Sequence, residues 1–302
     1  MKNMNKQNNA YSRLKHHLRH WRRSWLCRIN ITKAVTECYN SGFSKPLDLE
    51  NPVTINEKLQ YLKLNQYYNN PIVTTCIDKY QVKEYLKEIG FGNLAAKLYG
   101  VYDRPEDIDW ESLPDQFVVK CNHGCGLNIL CPDKKKFDRK SAIKQLKKWM
   151  RLDYWTYFAE PQYKYIKKKI LIEEYLGDNI HTYKFYCFNG VPKTCYVSSN
   201  GENGEYDKYY DYFDMEWNRQ ATYLMGHDHF PGDIEMPDNF EQMKSIATQL
   251  CRDFPFVRID LYSVKGRVYL SEYTFVPTGG YMHLEPEGTD IEWGKWLRLE
   301  DK

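Results

Sequence analysis

An α+β fold is predicted for this chain of 302 residues from three observations. Apolar residues recur at helical spacing in separate short segments: Val82, Tyr85, Leu86 and Ile89; Ile143, Leu146 and Met150; Phe240, Met243, Ile246 and Leu250. Short apolar runs between them read as strands, and Asn189-Gly190 and Ser263 to Gly266 read as hairpin turns. Helices and antiparallel hairpins are interspersed, which favours α+β over a doubly wound sheet.

The first 33 residues are basic, with Lys2, Lys6, Arg13, Lys15, Arg19, Arg22, Arg23, Arg28 and Lys33 and no acid before Glu37. Leu14, Leu18, Trp21 and Trp25 recur at helical spacing, so 1–40 is expected to form a basic amphipathic helix. Two fates suit it: resting on an anionic membrane surface, or docking on the body of the protein through that stripe. Residues 41–75 are mixed, punctuated by Pro46, Pro52 and Pro71. A helix follows, with Asp78 as N-cap and Gly90 at its end.

Residues 117–120 read as a strand running into the glycine loop Asn122-His-Gly-Cys-Gly126. Residues 139–150 suit a helix and 170–176 a strand. Strands at 184–188 and 193–197 flank Asn189-Gly190, a hairpin signal weakened by Pro192. Residues 200–238 are aromatic, acidic and irregular, which suggests a long surface insertion. A helix at 240–251 precedes the last hairpin.

Composition narrows the function classes. A net charge of +3 creates no general field for polyanions, so no nucleic-acid partner is expected. No apolar run reaches the length of a membrane span, and the basic N-terminus lacks the uninterrupted apolar segment of a signal peptide. A cytoplasmic protein is expected. Its nine cysteines show no repeated CxxC spacing and read as reduced core fillers. Cys121, His123, Cys125 and Cys131 cluster, but in no common zinc spacing.

The last hairpin carries the most chemistry. Asp260 lies on its first strand and Glu272 on its second. An odd-length turn centred on Gly266 sets these carboxylates opposite each other on one face, where like charges repel unless a cation sits between them. Oxygen ligands favour Mg²⁺. An even-length turn sends the two acids to opposite faces, both solvated. Arg258 shares the face of Asp260, as a clamp for an anionic substrate or as a structural partner for Glu272.

Other residues suit phosphate. Lys120 ends a strand immediately before the glycine loop, whose backbone N–H groups can approach phosphate oxygens. Lys79 sits in the first turn of its helix, against the helix dipole. Glu173 and Glu174 stand in a strand expected to be buried on at least one face, either as solvated acids of an edge strand or in a hinge that binds a flat heterocycle. Lys184 opens a strand among aromatic residues. Asp107-Ile-Asp109 has the Asp-x-Asp spacing of a glycosyltransferase metal site, but within a polar turn. His227-Asp-His229 in the insertion is a second possible metal pair, a solvated loop being the plainer reading.

Taken in order, Asp78-Lys79, Phe117 to Lys120, His123 to Gly126, Ile172 to Leu176, Tyr183-Lys184-Phe185, Arg258-Ile-Asp260 and Glu272-Tyr-Thr274-Phe resemble the ATP-grasp superfamily. With Asn51-Pro-Val-Thr-Ile-Asn-Glu-Lys58 and Leu113-Pro114 they resemble most closely its TupA-like branch, over roughly 41–300. The resemblance implies two α+β lobes that sandwich ATP. It divides the chain into an N-terminal helix (1–40), a helical region (41–115), a first lobe (116–170) and a second lobe (171–302) with the insertion 200–238. Lys79, Lys120 and Lys184 would contact phosphates, and His123, Gly124 and Gly126 would close over them. Glu173, Glu174, Tyr175 and Leu176 would hold the adenine and Asp178 the ribose. Asp260 and Glu272 would hold Mg²⁺, which requires the odd-length turn. Thr274 replaces the asparagine usual in the superfamily as a further magnesium ligand.

The implied activity is that of an ATP-dependent carboxylate–amine ligase working through an acyl phosphate, with Arg258 and Lys184 as catalytic groups. Its implied partners are an amino acid or small amine and a carboxylate sugar of a cell-surface polysaccharide. Residues 1–33 would hold the enzyme at the inner face of the plasma membrane. The alternatives are a glycosyltransferase of capsule or O-antigen synthesis, and a non-catalytic nucleotide-binding protein.

Overall fold

A computed structural model describes residues 18–178, 180–199 and 209–299. Helix α1 is described over 18–29, and α2 follows at Ile31–Gly42, capped by the Asn30 side chain. Leu26 and Cys27 of α1 pack with Ala34 and Val35 of α2 against Trp155 and Ala159. Leu18, Trp21 and Trp25 lie on the other side of α1 and are exposed, so the stripe does not dock on the body of the protein as one expectation had it. Leu14 of that stripe is outside the described residues.

The mixed region 41–75 contains helices that its prolines hide: α3 (Ile55–Leu62), a π turn (Lys63–Tyr67) and α4 (Pro71–Ile77). Two local signals announce them. Thr54 and Glu57 form a capping box, and Asn70 caps α4 with Pro71 in its first turn. Helix α5 spans Gln81–Glu88. The Asp78 carboxylate accepts from Tyr80 N and Gln81 N at 2.8 and 3.4 Å, which places Lys79 in the turn before α5 rather than in its first turn.

The first lobe is a four-stranded antiparallel sheet in the order β1 (Leu98–Tyr102), β4 (Ile170–Glu174), β2 (Phe117–Cys121), β3 (Asn128–Cys131). It draws on residues 98–174, a wider span than 116–170. Helix α6 (Arg139–Met150) covers one face, burying Ala142 and Leu146 against Phe117, Val119 and Ile172. Strand β4 is internal, so Glu173 is not a solvated edge acid.

The second lobe is a five-stranded antiparallel sheet. Its order is β10 (Arg267–Thr274), β9 (Phe256–Val264), β5 (Thr182–Phe188), β6 (Val191–Ser199), β7 (Tyr209–Phe213). Strand β7 and the two-residue β8 (Tyr223–Leu224) lie within the supposed irregular insertion, and β8 pairs with β11 (Leu284–Glu285). Helix α7 (Phe240–Cys251), together with α4 and α5, covers the face carrying Phe185, Ile259 and Tyr273. Helix α8 (Thr289–Trp296) packs Trp293 on Tyr186 and Tyr212 of the other face.

Both hairpins turn on two residues at positive φ, Asn189-Gly190 (46° and 77°) and Lys265-Gly266 (50° and 76°), the pattern whose twist matches the flanking strands. Each then carries a register shift. Pro192 is accommodated because Tyr186 pairs with Thr194 and Cys187 with Pro192, which leaves Lys193 as an extra residue. In the last hairpin Leu270 pairs with Leu261 but Glu272 with Asp260, which leaves Ser271 extra. The turn is therefore even, not odd and centred on Gly266 as expected. The bulge at Ser271 moves the register by one residue and restores the opposition of the two acids.

Candidate nucleotide-binding cleft

The site lies between the two sheets. One row crosses the second sheet through paired residues on a single face: Glu272, Asp260, Lys184 and Tyr196. Acids and a lysine are thus set side by side by strand register alone. The next row holds Thr274, Arg258 and Tyr186. Arg258 grips Asp260 with both arms, Nε to Oδ1 at 2.7 Å and an Nη to Oδ2 at 2.6 Å. The same nitrogen donates to Thr274 Oγ1 at 3.2 Å and lies 3.7 Å from Glu272 Oε1.

The first lobe and the turn before α5 supply cations. Lys79 Nζ is 3.2 Å from Glu272 Oε2 and donates to Gly124 O at 3.0 Å, which joins both lobes and the glycine loop through one ammonium. Lys120 Nζ and Lys83 Nζ each lie 2.8 Å from Glu173, on Oε2 and Oε1 respectively. Burial opposes ionisation of Glu173, but Lys120 and Lys83 outweigh it and hold its carboxyl down at about 2. Burial likewise opposes ionisation of Glu272, and Lys79, Arg258 and Lys184 hold it at about 2. Both acids are carboxylates at neutral pH, and each fixes the position of at least one lysine.

Sequence reasoning missed Lys83 and Asn122. Lys83 lies four residues after Lys79, and that helical spacing was the available signal. Asn122 is fully buried. Its Nδ2 donates to Asp78 Oδ1 at 2.8 Å and to Lys167 O at 3.0 Å, and its Oδ1 accepts from Lys169 N at 2.7 Å. It ties the Lys79 turn to the start of the glycine loop, and no local pattern distinguishes it from a turn asparagine.

The cavity between the lobes has a mixed lining, apolar from Leu86, Val118, Leu130, Leu176, Ile180 and Leu270 and charged from Lys79, Lys83, Lys120, Glu173 and Glu272. Glu174, Tyr175 and Asp178 also line it, and the Tyr175 hydroxyl donates to the Asp178 carboxylate. A narrower chamber continues past Cys125 and Gly126 to Lys184 and Asp260. Lys184 is buried, with its ammonium 5.1 Å from the centre of the Tyr196 ring.

Two expected contacts take a different form. The His123 side chain is buried beneath the loop rather than facing the cleft. Burial lowers its pKa to about 4, and a neutral ring can meet Trp149 O, at 3.2 Å, only by donating from Nε2. Gly124 rests on Tyr154 so closely that an added Cβ would lie 2.5 Å from the ring, and Gly126 has φ +69°, so both positions require glycine. With His123 turned away, the loop's backbone and the Cys125 side chain are left to close over a ligand. The Thr274 hydroxyl is engaged by Arg258 and lies 3.4 Å from Glu272 Oε1, which makes it a support for Glu272 rather than a free ligand.

The donor set still suits a hard cation. Asp260 and Glu272 offer two opposed carboxylates, and Mg²⁺ is commonly held by one or two carboxylates with substrate phosphates and water completing its shell. Among the described residues no group of three His, Cys, Asp or Glu gathers as a full cage. The other pairs are put to structural use. Asp107 is held by Arg104, Asp109 accepts from Glu111 N at 3.2 Å, and His229 pins the buried Asp211 at 2.6 Å.

Beyond β10 the chain turns through Thr278, Gly279 and Gly280, all at positive φ (49°, 66° and 76°). Lys63 Nζ binds Gly279 O at 2.7 Å, and Gln60 Nε2 binds the carbonyls of Gly279 and Gly280 at 3.1 and 2.7 Å. With its carbonyl drawn toward α3, the Gly279–Gly280 peptide presents its N–H the opposite way.

Residues 57–298 match the family model described as TupA-like ATPgrasp. No curated protein matches the sequence. Similar solved structures include D-alanine–D-alanine ligase from Helicobacter pylori, at 17% identity and TM-score 0.47 over 80% of this chain and 69% of that one. L-amino acid ligase from Bacillus licheniformis matches at 13% identity and TM-score 0.46, over 82% and 55%. D-alanine–D-alanine ligase from Bacillus anthracis complexed with ATP matches at 16% identity and TM-score 0.39, over 67% and 54%. The chain spans little more than half the length of the latter two enzymes.

Proposed function

The chain belongs to the TupA-like ATP-grasp family, and from that premise we propose that it is an ATP-dependent carboxylate–amine ligase using Mg²⁺. The observation that carries this reading is the row Glu272–Asp260–Lys184 facing Lys79 and Lys120 across one cleft. A triphosphate needs cations along its length and a metal where charge is transferred, and this cleft supplies cations and metal donors within one chamber.

In the proposed reaction a substrate carboxylate oxygen attacks the γ-phosphorus and ADP leaves. The amine nitrogen then attacks the acyl carbon, phosphate leaves and the nitrogen loses a proton. Bound Mg²⁺, held by Asp260 and Glu272, would neutralise phosphate charge. The apolar side chains near Leu176, with Glu173 to Leu176 at the hinge, would take the adenine, and Asp178 the ribose. Lys79, Lys120, Lys83 and Lys184 would hold phosphates, with the backbone of the 123–126 loop above them. Arg258 would orient Asp260 and approach the substrate carboxylate, and the turned peptides of Thr278 to Gly280 would face the intermediate.

The carboxylate substrate in this reading is a sugar of a cell-surface polysaccharide, amidated in the cytoplasm by an amino acid or small amine. The route to a lipid-linked acceptor is the basic N-terminal helix. Purified protein offered ATP, Mg²⁺, a uronic-acid glycan and pooled amino acids is expected to release ADP and phosphate only when both co-substrates are present. Glu272→Gln is expected to abolish that release. Turnover of a nucleotide sugar without ATP overturns the proposal.

A further inference from the structure

Among the described residues, the exposed face of α1 is an apolar feature that the nucleotide cleft leaves unexplained. Trp21 is 68% exposed and Trp25 52%, with Leu18 at 57% and Ile29 at 58%. These four recur at spacings of three and four residues, so they form one continuous stripe along the helix. The helix does not need that stripe to fold onto the protein, because Leu26 and Cys27 anchor its opposite side.

The surroundings of the stripe decide what covers it. Arg22 and Arg28 flank it on the helix surface, Arg19 is exposed one turn away, and residues 18–29 contain no acid. Arg22 is fixed by Glu37 at 2.7 Å and Arg28 by Asp153, so their side chains stand beside the stripe rather than folding across it. The Arg28–Asp153 pair also brings α1 to the segment that follows α6, whose surface exposes Lys144, Lys148 and Arg151. Two tryptophans with aliphatic neighbours and a cationic border match the interfacial zone of a bilayer, where indoles sit at headgroup depth and arginines meet phosphates.

We propose that residues 18–29 form an anchor lying in the plane of an anionic phospholipid bilayer, with Leu18, Trp21, Trp25 and Ile29 inserted, Arg19 at the phosphates, and Arg22 and Arg28 shared between phosphates and their acids Glu37 and Asp153. The inference is independent of the ligase reading, since binding is measured without nucleotide or acceptor. The full chain is mixed with vesicles of phosphatidylcholine alone, or with phosphatidylglycerol added, and sedimented. Binding to the anionic vesicles is expected to exceed that to neutral ones by about tenfold or more and to weaken with salt. Indole emission is expected to shift to the blue.

W21E/W25E is expected to lose about tenfold or more in binding, and W21F/W25F to retain most of it. R19E/R22E tests the cationic border without touching the stripe. Unchanged thermal midpoints identify variants that fold. The proposal falls if the full chain stays in the supernatant with both vesicle types, or if W21E/W25E binds as the parent does. It also falls if the stripe instead closes a lipid-free dimer that W21E/W25E splits.

Discussion

The Lys120 ammonium lies 2.8 Å from Glu173 Oε2, and Lys83 holds the other oxygen at the same distance. This triad on β4, β2 and α5 has a defined pH signature. The folded pKa of Glu173, about 2, lies below its ordinary value of 4.5, so the unfolded chain takes up a proton first as pH falls. The ionised acid therefore contributes stability above about pH 4.5, and that contribution is lost as pH falls toward 2. Glu173→Gln leaves two lysines facing a neutral amide and is expected to destabilise the fold by about 3 kcal/mol at pH 7. The deficit should shrink markedly at pH 3. Urea unfolding of both proteins at the two pH values measures it, and an unchanged deficit would count against the triad.

Lys83 separates this cluster from a generic surface. Lys83→Met removes one of the two cations on Glu173 and one of the cations lining the cavity. ADP binding, followed by calorimetry, is expected to weaken about tenfold. Lys87→Met, one turn further along α5 and paired with the exposed Glu84, is expected to change nothing. Equal effects of the two substitutions would remove Lys83 from the site.

How much of this was legible in the sequence depended on how far each signal reached along the chain. Lys79, Lys120 and the Asp260/Glu272 pair stood out because a helix start, a strand end and a hairpin are local patterns. Asn122 and Lys83 did not, because what makes them functional is burial against Asp78, Lys167, Lys169 and Glu173, dozens of residues away. The parity of the last turn was misjudged for the opposite reason. The two positive-φ residues Lys265-Gly266 are local, but the compensating bulge at Ser271 is set by the match of Leu270 with Leu261 in the core and of Glu272 with Asp260 at the cleft. The fate of the α1 stripe was open because periodicity identifies an apolar face without saying whether Trp155 or solvent lies against it. The helices in 41–75 were readable from Thr54-x-x-Glu57 and Asn70-Pro71, and three prolines drew attention away from those caps.

Arg258 and Asp260 form a buried two-armed pair, and Arg258 also reaches Thr274. Arg258→Lys keeps the charge but cannot reproduce two parallel bonds. It is expected to cost about 2 kcal/mol in stability and more than about a hundredfold in ATP turnover, because Asp260 loses its orientation. Thr274→Ser retains the hydroxyl that Arg258 uses and should be close to the parent, whereas Thr274→Val should lower turnover with little effect on nucleotide affinity. If Thr274→Val instead loses Mg²⁺ dependence, the hydroxyl is a metal ligand.

Glu160 and Lys63 are both fully buried under the 278–280 turn. Burial raises Glu160 to about 7 and lowers Lys63 to about 8, each opposed by the other's charge. Between about pH 4.5 and 7 the folded state holds the Glu160 proton more tightly than the unfolded chain does, so stability should fall as pH rises through that window. Glu160→Gln is expected to remove that slope. Thermal midpoints across pH 5 to about 8 test it, and a slope that persists in Glu160→Gln assigns it to another group.

The bulge at Ser271 offers the sharpest test of how the metal donors are placed. In a regular ladder continuing from the Lys265-Gly266 turn, Asp260 would face residue 271 and Glu272 would point to the opposite side. The extra residue therefore corrects a one-residue mismatch between turn and site. Deleting Ser271 moves Glu272 into position 271 of that ladder, still opposite Asp260 and without a bulge. Such a deletion is expected to fold and to keep Mg²⁺-dependent ADP binding within about tenfold, losing only the local twist that the bulge adds. Inserting a residue beside Ser271 shifts Glu272 one position past Asp260 and onto the other face, and should abolish the Mg²⁺ dependence. If deletion is as damaging as insertion, the bulge aims Glu272 directly rather than correcting its register.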